Sequence, residues 1–144
     1  MKSFLKRFLR TAAPAAEAQT PQLAVAQLLL EIARADLNAD STELATIRAH
    51  LAEAYALDEA ALDALMATAA ARVEQAVSLH DTVKTVNDAL NAERKSDLMR
   101  ALWQVAYADG RLDPYEEALL RRLADLLYVP HATFIREKLA VLES

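Results

Sequence analysis

The sequence predicts an all-α protein: a compact bundle of about seven helices with an internal pseudo-twofold repeat, plus a short N-terminal amphipathic helix. Three observations predict it. One glycine and four prolines in 144 residues leave few helix breakers. Alanine and leucine, both strong helix formers, dominate the rest. The chain also repeats itself. Ala35-Asp36-x-x-x-Asp40-x-x-Glu43 returns as Ala108-Asp109-x-x-x-Asp113-x-x-Glu116, 73 residues on. At that offset Leu29 matches Leu102, Ala33 matches Ala106, Arg48 matches Arg121 and Tyr55 matches Tyr128.

Residues 2–11 read as a basic amphipathic helix, with Phe4, Leu5, Phe8 and Leu9 opposite Lys2, Lys6, Arg7 and Arg10. Residues 11–21 lack periodicity and read as a linker, so 1–21 form one unit and 22–144 a helical domain. Residues 22–36 are apolar nearly all round, which marks a central buried helix. Residues 41–56 follow, with Leu44, Ile47, Leu51 and Tyr55 inward. Residues 59–77 carry Leu62, Leu65, Met66, Ala69, Val73 and Ala76 at helical spacing. A shorter helix spans 79–90 through Val83, Val86 and Leu90. Asn91 caps the next, 92–109, which turns Leu98, Leu102 and Val105 inward. Helices over 114–128 and 131–142 complete the set. No segment alternates as a strand.

Composition removes several classes of function. Without cysteine there is no disulfide, thiolate metal site or cysteine nucleophile. No apolar run approaches the roughly 20 residues of a membrane-spanning helix. The net charge of −5 is uneven: residues 1–16 hold four basic residues and no acid, leaving 12 basic against 21 acidic residues, −9, in the remainder. An acidic body argues against nucleic acid and suits cations or basic protein surfaces.

The second acidic turn runs Tyr107-Ala-Asp-Gly-Arg-Leu-Asp-Pro-Tyr-Glu-Glu117. Gly110, the single glycine, sits just past a helix end, where a left-handed residue closes a helix. Asp113 as N-cap, Pro114 as N1 and Glu116 as N3 form a capping box. Asp40 and Glu43 take the same roles in the first copy. Capping alone leaves Asp36 and Asp109 unexplained, because an acid in a last helical turn opposes the helix dipole. If the two turns face each other, Asp36, Asp40, Glu43, Asp109, Asp113 and Glu116 crowd one region, where like charges raise each other's pKa or recruit a cation. An all-oxygen site suits Ca²⁺, Mg²⁺ or Mn²⁺. Arg34, Arg48, Arg111 and Arg121 are the competitors that neutralise the acids without metal. The spacing is not that of an EF-hand. There is no Glu-x-x-His pair, no His-Glu-x-x-His and no phosphate-binding glycine loop.

These residues resemble a known family. Leu102-Trp-Gln-Val-Ala-Tyr-Ala-Asp-Gly-Arg-Leu-Asp-Pro-Tyr-Glu-Glu117, followed by Leu120 and Arg122-Leu-Ala-Asp-Leu-Leu127, is similar to the TerB-like, tellurite-resistance-associated family of bacteria. Residues 79–90 resemble the helix that precedes this motif there, and the likeness covers about residues 23–142. The resemblance implies a compact helical fold with the acids of both repeats on one region. It also implies cytoplasmic association with stress or membrane-linked systems and use as a module beside other domains. Metal binding is a suspected property of that family. Asp109, Asp113 and Glu116 match its signature fully; Asp36, Asp40 and Glu43 match its acidic positions only. Leu37 stands where the second copy has Gly110, and leucine resists the left-handed conformation. Asn38 is the residue that can adopt it instead.

His50, His80 and His131 are scattered singly and read as surface or cap residues. Met99, Trp103 and Tyr107 share a helix face, which reads as core, with a partner-binding patch as the alternative. Asp97–Arg100 and Glu117–Arg121 read as solvated pairs. The expected function is that of a non-enzymatic binding domain whose duplicated acidic turn takes a divalent cation or a basic partner surface, in stress (tellurite) response. The alternative is a structural adaptor whose acids only cap helices and whose aromatic face binds an unknown protein partner. The expected location is the cytoplasm, peripheral to the inner membrane through weak contact by Phe4, Leu5, Phe8 and Leu9, with docking of Phe4 and Phe8 on the domain's own core as the alternative.

Overall fold

Proline at the first helical position presets the backbone for a helix, and Pro21 opens the first one, with Thr20 Oγ1 accepting the Leu23 N–H at 3.2 Å. The computed structural model describes residues 19–35, 41–75 and 78–144. Within them lie α1 (Pro21–Ala35), α2 (Ser41–Tyr55), α3 (Glu59–Glu74), α4 (Leu79–Ala89), α5 (Ala92–Ala106), α6 (Pro114–Leu126) and α7 (His131–Leu142). There is no strand among the described residues. The N-terminal amphipathic segment, most of its linker, and Asp36, Leu37, Asn38 and Asp40 lie outside them.

Expected helices and observed ones agree closely at their N-termini, where side chains cap. Asp58 Oδ1 accepts the Ala61 N–H at 2.8 Å and Asn91 Oδ1 accepts the Arg94 N–H at 2.8 Å. The differences are at C-termini. The helix expected over 92–109 stops at Ala106, and that expected over 59–77 stops at Glu74. Two further ends were not expected. Ala56 (φ 51°) closes α2 and Tyr128 (φ 59°) closes α6 in the left-handed region, without glycine. Leu57 N–H returns to Ala52 O at 3.1 Å, and Val129 N–H to Ala124 O at 2.9 Å. Both are the bond that marks a Schellman ending, and it sets the turn into the following helix.

The repeat is visible in the packing. α1 rests on α2 and α3, and α5 rests on α6 and α7. Across the halves α1 meets α5, α1 meets α6, and α2 meets α5. Exchanging the halves maps this set of contacts onto itself, as a pseudo-twofold axis requires. α4 alone has no mate among the described helices, and it lies on α1. The shared core takes matched residues from both copies: Leu29 with Leu102 and Ile47 with Leu120 are all fully buried.

The aromatic face belongs to this core. The Trp103 ring lies 4.9 Å from Phe134 and 6.0 Å from Tyr107, and its Nε1–H donates to Phe134 O at 3.1 Å. Trp103 and Met99 have no exposed surface, so the alternative of a partner-binding aromatic patch fails for them. One core position also changes. Leu44 is 43% exposed, and the inward stripe of α2 runs through Glu43, Ile47 and Leu51. Four-residue spacing rotates Leu44 out once Glu43 turns in.

Candidate functional site

The acidic turn of the second half follows from local backbone chemistry. α5 ends when Tyr107 N–H bonds Trp103 O at 3.0 Å and Ala108 N–H bonds Val105 O at 3.2 Å. The chain then reverses through Gly110 (φ 85°), whose N–H bonds Tyr107 O at 2.9 Å. The left-handed residue therefore shapes the loop and does not directly follow the helix cap. Asp109 lies in this turn, beyond α5, and Oδ1 accepts the Arg111 N–H at 3.0 Å. Its expected conflict with the last turn of a helix is thereby relieved.

Asp113 caps α6, with Oδ1 accepting the Tyr115 N–H at 2.7 Å. Glu116 completes the box, its Oε1 accepting the Asp113 N–H at 3.2 Å. Asp109 and Asp113 are half-buried, whereas Glu116 is 0% exposed. Glu43, its repeat mate in the first turn of α2, is also 0% exposed. Burying a carboxylate is expensive unless it is paired, hydrogen-bonded or metal-bound. Both glutamates have partners in the fold. Asp109 and Asp113 thus lie in one loop with Glu116 in the first turn of the helix that follows, Glu43 sits at the matching helix start, and Asp36 and Asp40 are outside the described residues. Among the described residues no three His, Asp or Glu side chains form a group able to hold a metal.

Three of the four expected competitors have other engagements. Arg34 Nη1 donates to Val73 O at 2.8 Å. Arg48 meets Asp63 at 2.7 Å and Glu59 at 3.6 Å, and Arg121 lies 4.0 Å from Glu117 as expected. Arg100 pairs with the buried Glu137 at 2.6 Å and not with Asp97.

A second feature was missed by the sequence reading. A groove of about 890 Å³ runs between α2 and α5. Its lining includes His50, Glu53, Ala54 and Tyr55 of α2, Arg94, Asp97, Arg100 and Gln104 of α5, and Tyr107 and Val141. His50 is half-buried here; burial pushes its imidazole below the usual range, against the opposing pull of Glu53 and Asp97. Burial raises the Tyr55 phenol, with Arg94 acting against it. No local motif announces the groove, because its walls are far apart in sequence. His80 and His131 are exposed, as expected of surface residues.

The model of the family described as tellurite resistance protein TerB matches residues 22–139. The chain belongs to the TerB family. That match covers α1 from its second residue, all of α2 to α6 and most of α7, including both acidic turns. No curated protein and no solved structure matches this TerB domain significantly. Among its described residues no helix is long and apolar enough to cross a membrane.

Proposed function

We propose that this TerB-type domain is a non-enzymatic binding module whose acidic turns take a divalent cation. The carrying observation is the matched burial of Glu43 and Glu116, both 0% exposed at equivalent helix starts. A carboxylate is carried into the interior at the same helix position twice, and the copy at Glu116 shares its turn with the half-buried Asp109 and Asp113. The donors are all oxygens, which suits Ca²⁺, Mg²⁺ or Mn²⁺. Asp109, Asp113, Glu116 and Glu43 are the described donors, with Asp36 and Asp40 as the completing pair. Basic side chains of a partner protein meet the same chemistry.

A second reading rests on the complete capping box at Asp113 and Glu116. There the acids only start helices. One pair of variants separates the two. A cation that binds the folded state raises the melting temperature by linkage. Asp109→Asn should remove that rise, because asparagine still offers Oδ1 to the Arg111 N–H but lacks the charge. Asp113→Ser keeps a good cap and should cost only about a few tenths of a kcal/mol in apo stability, while weakening the cation response. If millimolar Ca²⁺, Mg²⁺ and Mn²⁺ all leave the wild-type transition unmoved, capping is the whole role of these residues.

A further inference from the structure

α4 occupies a seat on α1, reaching toward the C-terminal end of α6. Gln27 Nε2 donates to Thr82 Oγ1 at 3.3 Å, and Asn87 Nδ2 donates to Leu126 O at 3.1 Å. The repeat carries Gln27 onto Arg100 and Leu126 onto Glu53, and both of these line the groove between α2 and α5. The groove is therefore the counterpart of the seat that α4 fills. Chain order gives its counterpart occupant. α4 directly precedes α5, so its counterpart in chain order is the segment that precedes α1; the 73-residue offset carries Leu79–Ala89 back to residues 6–16, which overlap the amphipathic segment 2–10 only at 6–10, so chain order rather than exact register names the occupant.

We propose that the N-terminal segment, residues 2–10, docks in the groove between α2 and α5, in the place that α4 holds in the other half. Phe4, Leu5, Phe8 and Leu9 offer an apolar face, and the groove floor offers the apolar Val25, Leu98 and Tyr107. Lys2, Lys6, Arg7 and Arg10 face a rim carrying Glu53 and Asp97. Of the two groove arginines, Arg100 is paired with Glu137 at 2.6 Å, which leaves Arg94 as the main opposing charge. Reach is ample. Val25 lies about 6 Å along α1 from Pro21, while ten residues of linker extend up to ~33 Å. Docking here occupies the same side chains that a membrane contact needs, so the two states exclude each other.

The absence of cysteine allows one clean probe. A paramagnetic label on Ser3→Cys in the full chain should erase most of the amide signal of 49–55 and 97–104 and leave α3 and α4 amides intact. Adding Phe4→Asp and Phe8→Asp should restore the erased signals, as should Glu53→Arg with Asp97→Arg, two exposed changes that leave the core untouched. Three results overturn the proposal: groove amides that keep their signal, loss centred on another face, or contact seen only with anionic vesicles present. So does loss that persists when the label and the isotope sit on separate molecules, since a second copy is then the occupant.

Discussion

α1 and α5 hold equivalent places in the two halves, yet their surroundings differ. Every residue from Leu23 to Leu30 is buried, including Gln27. In α5, Glu93, Arg94, Asp97, Arg100 and Gln104 are exposed. The mates Ala24 and Asp97 put the contrast at one position: the alanine is 0% exposed beneath its neighbours and the aspartate faces solvent. Both helices make the same contacts with their own halves and with each other. Among the described residues, what separates them is α4, which has no described mate in the other half. Internal duplication thus sets a symmetric frame, and the unmatched segments decide which faces of that frame are closed.

Exchanging the residues at that position should break the comparison most strongly. Ala24→Asp places a charge in the closed seat and should cost about 3–5 kcal/mol, the scale of an uncompensated buried charge. Asp97→Ala should stay within about 0.5 kcal/mol, as surface changes do. Urea titrations of the two variants measure the difference; similar losses would mean that α5 is not open.

Next in size are truncations of the matched core. Trp103→Ala should cost about 3–5 kcal/mol and its mate Leu30→Ala about 2–5 kcal/mol. Because α1 and α5 share one core, each variant should still unfold in a single calorimetric transition. Two resolved transitions would show halves that fold apart.

A smaller pair tests the loops. Gly110 has φ 85° and open space around an added Cβ, so Gly110→Ala should cost only the conformational strain, about 1–2 kcal/mol. Ala56 bears that strain already at φ 51°. Ala56→Gly should therefore raise the melting temperature, with about 1 kcal/mol as the upper bound. A loss there would mean that the methyl group packs productively.

The smallest effect concerns the groove wall. The folded state holds His50 below its usual value of 6.5. As pH falls through 6.5, the unfolded chain takes up the proton first, so stability declines until the folded imidazole is also protonated. Above 6.5 the contribution is complete. His50→Gln should flatten the pH dependence in that window. Glu31, raised by burial despite Arg34, acts in the opposite sense: its carboxylate costs stability as pH rises from 4.5 to its folded value. The two slopes have opposite signs, and a slope just below pH 6.5 that His50→Gln leaves unchanged would exclude the histidine as its source.

Much of this was legible in the residues. Helix starts are local events, so Asn91 and the Asp113-Pro114-Glu116 run could be placed before any packing was known. The buried stripe of α5 follows from helical period, and the all-round burial of α1 from its lack of a polar face. The acidic turn was legible as a position, since it recurs in register. Its internal geometry was only partly so, because the end of α5 depends on where the backbone finds its last acceptors.

Tertiary structure decided the remainder, for one physical reason. Propensity, capping and periodicity act over a few residues, whereas burial depends on which distant surface arrives. Leu44 and Glu43 are neighbours, and only the approach of the core turned the glutamate in and the leucine out. Ala56 and Tyr128 adopt left-handed angles that their side chains disfavour, because the following helices must pack. The groove unites His50, Asp97 and Val141 from three separate helices. The sequence by itself determined the helices, the repeat and the caps; only the assembled bundle decided that one of two equivalent seats is filled by α4 and that the other, among the described residues, is the groove between α2 and α5.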